Sequence, residues 1–215
     1  MRSVAVLLLA AAGCAPAPKP PVEPAPPVGP TKAAVLSVLD SLERTFQNHW
    51  GAVEKSPEFA VLGPAHVPWL REIADANGAH ALLALRVLER RAPAEKFSVE
   101  AKAILYSSAL EREEEFARWG MITRNGFLPG VYGSELLALK EAAVPYLRKA
   151  LFNRRRARVT GGEGERANRV QGDRVCDYAW VLLATMLDRP LVYHEDPRFR
   201  DPQIREMDVW LDRRN

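Results

Sequence analysis

Apolar residues recur at helical spacing along most of the chain. Between Thr31 and Trp50, the residues Val35, Leu39, Leu42, Phe46 and Trp50 fall on one stripe with a polar face opposite. That spacing predicts an amphipathic helix. Pro68 suits the first turn of a helix through Ala76, where its missing N–H forfeits no hydrogen bond, and Gly78 stops that helix. Ala79–Arg91 reads as a second helix, closed by Pro93. Ser98, with Glu100 in the first turn, is expected to cap a long helix reaching Trp119. Ser134 is expected to cap Glu135–Ala142, followed by a proline-started helix from Val144 to Phe152. Asp173–Leu187 is the next helix. Asp201–Arg213 is the last, with Asp201 as cap and Pro202 in the first position. Strand signals are scarce, so the expected fold class is all-α.

Two of these segments echo each other. Leu62–Arg71 and Leu139–Arg148 both read L-x-x-x-x-V-P-aromatic-L-R, at an offset of 77 residues. Each precedes an apolar helix with a similar end, Leu88-Glu89-Arg90 and Leu187-Asp188-Arg189, now at an offset of 99. The 22-residue difference is an arginine-rich, glycine-containing stretch, expected to be a loop inserted into the second pair. A repeated helix pair that cannot bury its apolar face alone is characteristic of stacked helical arrays. Val67-Pro68-Trp69-Leu70 and Val144-Pro145-Tyr146-Leu147 resemble the V-P-x-L element of HEAT-type repeats. Asp173-Arg174-Val175 with Ala179 and Leu182-Leu183 resembles the start of their second helix. The resemblance covers about half of the folded part and leaves Ser98–Gly133 unmatched. It implies either an irregular HEAT-like array or a compact helical bundle.

The amino terminus follows a different pattern. Arg2 is followed by nine apolar residues, Val4–Ala12, then Gly13 and Cys14. A charged start, a short apolar run and small residues before a cut are the layout of a secretory signal peptide. The run is too short to cross a bilayer as a helix, which takes about 20 residues. Ala11-Ala12-Gly13-Cys14 resembles the lipobox of bacterial lipoproteins, which implies cleavage before Cys14 and diacylglycerol on its sulfur. Cleavage at Ala10-Ala11-Ala12 or Ala15-Pro16-Ala17, leaving a soluble exported protein, is the alternative. Ala15, rather than aspartate, follows the cysteine. In a two-membrane bacterium the lipoprotein resemblance then implies the outer membrane. From Ala15 to Pro30, eight of sixteen residues are proline, which excludes helix and sheet ladder and makes an extended tether of roughly 50 Å. The expected organisation is therefore a signal peptide at 1–13, a lipidated cysteine and tether at 14–30, and an all-α domain at 31–215.

Charge is unevenly spread. The chain carries a net +3, yet residues 153–174 alone hold seven arginines against three acidic residues. Arg154, Arg155, Arg156 and Arg158 are therefore candidates for anion or partner binding, since guanidinium pairs bidentately with phosphate. Nucleic acid is not an expected partner outside a membrane. The four histidines show none of the usual zinc spacings, and no nucleophile elbow or phosphate-binding glycine loop is present. No cofactor or metal is expected. Cys176 reads as a small core residue, and the acidic run Glu111–Glu115 as a solvated helix face. The segment Arg124–Gly133, with three glycines and two aromatics, should be an ordered turn whose rings either plug the core or form a ligand-facing lip. These features point to a lipid-anchored envelope protein acting as a non-catalytic interaction or scaffold module with a protein partner. Two alternatives stay open: an envelope hydrolase built from His194, Glu195 and the 124–133 loop, and an anionic-surface binder using the 153–174 insertion.

Overall fold

Thr31 starts the first helix by accepting the Ala34 N–H on its hydroxyl at 3.2 Å. Helix α1 (Lys32–Thr45) then buries Val35, Leu39 and Leu42, the stripe expected from the sequence. The structure is a computed structural model, and it describes residues 29–45, 53–113, 116–124, 126–159 and 162–214. Cys14, the signal peptide, nearly all of the tether, Phe46, His49 and Trp50 lie outside the described residues.

Ser56 caps the short helix α2 (Pro57–Val61) through Phe59 N–H at 3.1 Å. A 3-10 turn at Pro64–His66 leads into α3 (Val67–Asp75), with Pro68 in the first turn as expected. Asn77, at φ +51°, takes the left-handed turn that the sequence suggested for Gly78. Asparagine tolerates that region because its short amide can bond locally. Helix α4 (Ala81–Arg91) follows. Ser98 caps α5 (Val99–Arg112) by accepting the Ala101 N–H at 3.0 Å, but the helix ends well before Trp119. The chain turns away there: Phe116 N–H donates to the Arg158 carbonyl at 2.7 Å, and Gly120 adopts φ +128°.

A two-stranded antiparallel hairpin, β1 (Gly120–Thr123) and β2 (Gly126–Pro129), follows, its second strand lying in the segment expected to be an ordered turn. Helix α6 (Val131–Ala138) begins three residues before Ser134, so that serine lies inside the helix and is not its cap. A second 3-10 turn at Lys140–Ala143 leads to α7 (Val144–Ala150). The arginine-rich insertion is only partly a loop. It holds an extended segment, 155–159, and a further helix, α8 (Gly162–Gln171). Helix α9 (Val175–Met186) is capped by Asp177, which accepts the Arg174 N–H at 2.8 Å. Helix α10 (Pro197–Arg214) starts four residues before Asp201. Pro202 therefore sits one turn inside it, where it removes a backbone hydrogen bond.

Among the described residues the fold is all-α apart from the hairpin, with ten α-helices. The packing follows chain order. Helix α4 lies on α3 and α5, α5 on α7, α7 on α9, and α9 on α10. Ten consecutive residues of α9, Val175–Ala184, are buried, which makes it the central helix. A helix apolar nearly all round has to be buried on all sides. The two echoed segments adopt the same local structure, a 3-10 turn followed by a proline-started helix. Leu70 and Leu147 are fully buried at equivalent places, each worth about 1.5–3 kcal/mol. No described helix is long and apolar enough to cross a membrane.

Candidate functional site

The inserted arm carries seven arginines against three acidic residues, and its backbone is pinned on both sides. Arg155 carbonyl accepts the Val175 N–H at 2.9 Å, and Ala157 N–H donates to the Asp173 carbonyl at 2.8 Å. Arg156 and Arg174 form an isolated antiparallel bridge. Along 156–159 exposure alternates: Arg156 and Arg158 are exposed, while Ala157 and Val159 are buried. Residues two apart on an extended segment share a face.

A buried polar network holds this arm against α9 and α10. Arg200, fully buried on α10, donates to Asp173 Oδ1 at 2.7 Å and to the Gln171 carbonyl at 2.7 Å. It also lies 3.4 Å from Asp177 and hydrogen-bonds the Tyr193 hydroxyl, which in turn bonds Asp173. Burial pushes the Asp173 carboxyl up to about 7, against the pull of Arg200. Arg174 makes two bonds to Asp177, at 3.0 and 2.9 Å, and one to Asp201 at 2.7 Å; Arg154 shares Asp201. Within this cluster Arg200 Nε and Gln171 Oε1 are buried without a hydrogen-bond partner.

The four sequence-named arginines therefore divide. Arg154 is tied to Asp201, and Arg155 donates to the Glu111 and Glu113 carbonyls at 2.9 and 2.6 Å. Both hold the fold together. Arg156 and Arg158 have no side-chain hydrogen bond or ion pair among the described residues. They line a cleft of about 500 Å³ with Arg155, Glu165, Asn168 and Arg169. Arg169 is paired with Glu165 at 2.9 Å across one helical turn.

Of the residues named for the hydrolase alternative, the fold brings the 124–133 loop and Glu195 into contact. Arg124 Nε donates to Glu195 Oε1 at 2.9 Å, but this pair lies on the surface, with the arginine 74% exposed. His194 packs its ring against Phe199. None of the clefts described here is lined by His194 or Glu195. The aromatics of the 124–133 loop face the core. Tyr132 is 1% exposed against Trp119 and Tyr106, and Phe127 meets Tyr178 edge-on. Gly133 permits this closeness, since a Cβ there would stand 2.2 Å from the Trp119 carbonyl oxygen.

A second charged cluster escaped the sequence reading. Glu43, Arg112 and Glu113 share a cleft of about 290 Å³ with Leu82 and Ala109. Glu43 pairs with Arg118 at 2.9 Å and with His80 at 2.9 Å, and His80 reaches Asp40 at 3.0 Å. Glu113 accepts the Trp119 indole N–H at 2.9 Å, and burial pushes its carboxyl up to about 7. The expectation of a solvated acidic face is thus corrected at Glu113. The helix ends at Arg112 and the carboxyl turns inward. Only the fold brings these residues together, because Glu43 and Glu113 are 70 positions apart.

A third cleft, of about 560 Å³, runs between α7 and α10, with Phe152 67% exposed at its side. Ion pairs from Arg148 to Asp208 (2.6 Å) and Asp212 (3.0 Å), and from Arg214 to Glu141 (2.6 Å), stitch its walls. Cys176 is fully buried, and burial pushes its thiol up to about 11, so it is a core residue. Among the described residues no three His, Cys, Asp or Glu side chains group so as to hold a metal ion. No protein-family model, curated protein or solved structure matches the chain.

Proposed function

We propose that the protein is a lipid-anchored envelope protein whose helical domain is a non-catalytic interaction module. The observation that carries this reading is the repeated helix pair. Segments α3/α4 and α7/α9 share a sequence motif and a local structure, and their helices stack in chain order. Stacked pairs of this kind offer broad, rigid surfaces to protein partners. The lipobox-like Ala11-Ala12-Gly13-Cys14 supports the anchor, and the proline-rich segment supplies reach. Where the tether meets the domain, the Trp69 indole donates to the Pro30 carbonyl at 2.7 Å, so the domain hangs from α3. Two acyl chains suffice for stable anchoring, whereas one binds marginally. With Ala15 after the cysteine, the outer membrane of a two-membrane bacterium is the address this reading takes.

Chemical crosslinking in intact cells, followed by mass spectrometry, tests it. The expected result is recurrent crosslinks from domain residues to a defined envelope protein. A crosslink pattern indistinguishable from that of an unrelated lipoprotein carrying the same leader and tether would contradict it.

A further inference from the structure

Folding explains most of the positive charge on the arm, but not all of it. Arg154, Arg155 and Arg174 hold carboxylates or carbonyls, and Arg169 holds Glu165. Arg156 and Arg158 do neither, although they stand on one face of the same extended segment, about 7 Å apart along the backbone. Two like charges on such a face repel, though weakly where solvent screens them. The segment is nonetheless held in place by the Phe116 N–H on the Arg158 carbonyl (2.7 Å), the Ala157–Asp173 bond and the buried Arg200 network behind them. A pinned backbone that presents two guanidinium groups into a cleft needs no further backbone ordering to receive an anion, so only the side chains remain to be ordered.

We infer that the cleft between residues 155–159 and α8 is a phosphate-binding site, with Arg156 and Arg158 as its ligating side chains. The chemistry favours phosphate over a single carboxylate. One carboxylate saturates one guanidinium fork, whereas a phosphate offers three acceptor oxygens and up to two charges, enough to engage both forks. The cleft, at about 500 Å³, has room for a phosphate with the group that bears it. The wall opposite is formed by Asn168, itself buried, and by Glu165, whose carboxylate is neutralised by Arg169 at 2.9 Å. This inference is independent of the interaction-module reading and of acylation at Cys14. The phosphate can come from a soluble compound or from a lipid headgroup at the membrane surface.

The test uses the full chain carrying Cys14→Ser, which cannot be acylated there. It is titrated with inorganic phosphate by calorimetry, and floated with phosphatidylcholine vesicles with and without phosphatidic acid. Arg156→Gln/Arg158→Gln should weaken binding at least about tenfold, since each charge-assisted bond contributes on that scale. Arg124→Gln/Arg198→Gln removes the same charge from exposed positions elsewhere and should leave affinity within about twofold, as expected for remote surface charge. Arg158 has no side-chain partner to lose among the described residues and Arg156 only its attraction to the Asp173 carboxyl, so any fall in the unfolding midpoint should be small. Binding of free phosphate that depends on Arg156 and Arg158 assigns a soluble ligand. Dependence seen only on phosphatidic-acid vesicles assigns a lipid headgroup. Equal losses in both double variants, or no phosphate binding in either format, overturn the proposal.

Discussion

Glu113 stands immediately after α5, with its carboxyl under the Trp119 indole. Desolvation raises its pKa from the ordinary carboxylate value to about 7, while Arg118 and Arg112 pull the other way. A carboxyl raised in the folded state contributes stability that is fully present below its unfolded pKa. That contribution is lost as pH climbs through the folded value. Glu113→Gln keeps the acceptor for Trp119 and removes the ionisation. Near pH 5 the variant and the parent should therefore be close in stability, and by about pH 8 the variant should lead by about 2–3 kcal/mol. Urea titrations at the two pH values measure this directly. A constant difference across the range would mean that the carboxyl is solvated. The same residue scale accounts for the hairpin. Gly120 at φ +128° and Gly133 against the Trp119 carbonyl allow an approach that no larger residue tolerates.

At the scale of elements, one side chain joins three of them. Arg200 on α10 ties Asp173 ahead of α9 and the Gln171 carbonyl at the end of α8. Removing one partner of a buried charge network leaves the others uncompensated, which typically costs about 3–5 kcal/mol. Arg200→Met should fall in that range, and adding Asp173→Asn should recover part of the loss. Amide exchange at Ala157 and Val175, whose N–H groups pin the arm, should accelerate in the single variant. A loss below about 1 kcal/mol would show that packing alone holds the arm, as for an ordinary surface substitution. Local signals made much of this level readable in advance. The Val35/Leu39/Leu42 stripe, the Ser98 cap and the two proline-started helices are set by residues within a few positions of one another. Two elements were missed. The hairpin had a short-range cue in Asn125-Gly126 between apolar pairs, but the glycine-rich 124–133 segment reads as a turn without its flanking strands. Helix α8 has few apolar residues, so it lacks the apolar stripe that marks the other helices in the sequence. The split of the arginines depends on Asp173 and Asp177 meeting Arg200 in space and on Asp201 meeting Arg154 and Arg174, and spacing along the chain does not reveal it.

For the whole molecule, the account joins a helical domain packed in chain order to an amino-terminal leader and tether. Chain-order packing keeps most contacts between near neighbours in sequence, which favours independent folding beyond a tether. The tether ends where Trp69 holds Pro30, on the first of the two echoed helices. Under the proposed lipid anchor, the basic arm on the second pair would lie on a domain held within roughly 50 Å of a membrane. The proposed envelope address rests on acylation at Cys14, and the mass of the amino-terminal peptide from protein purified out of membranes reads it directly. The account predicts a peptide beginning at Cys14 and carrying diacylglycerol, with a further acyl chain on the new amine. A peptide with an unmodified thiol at Cys14, or one that begins downstream of it, would contradict the account.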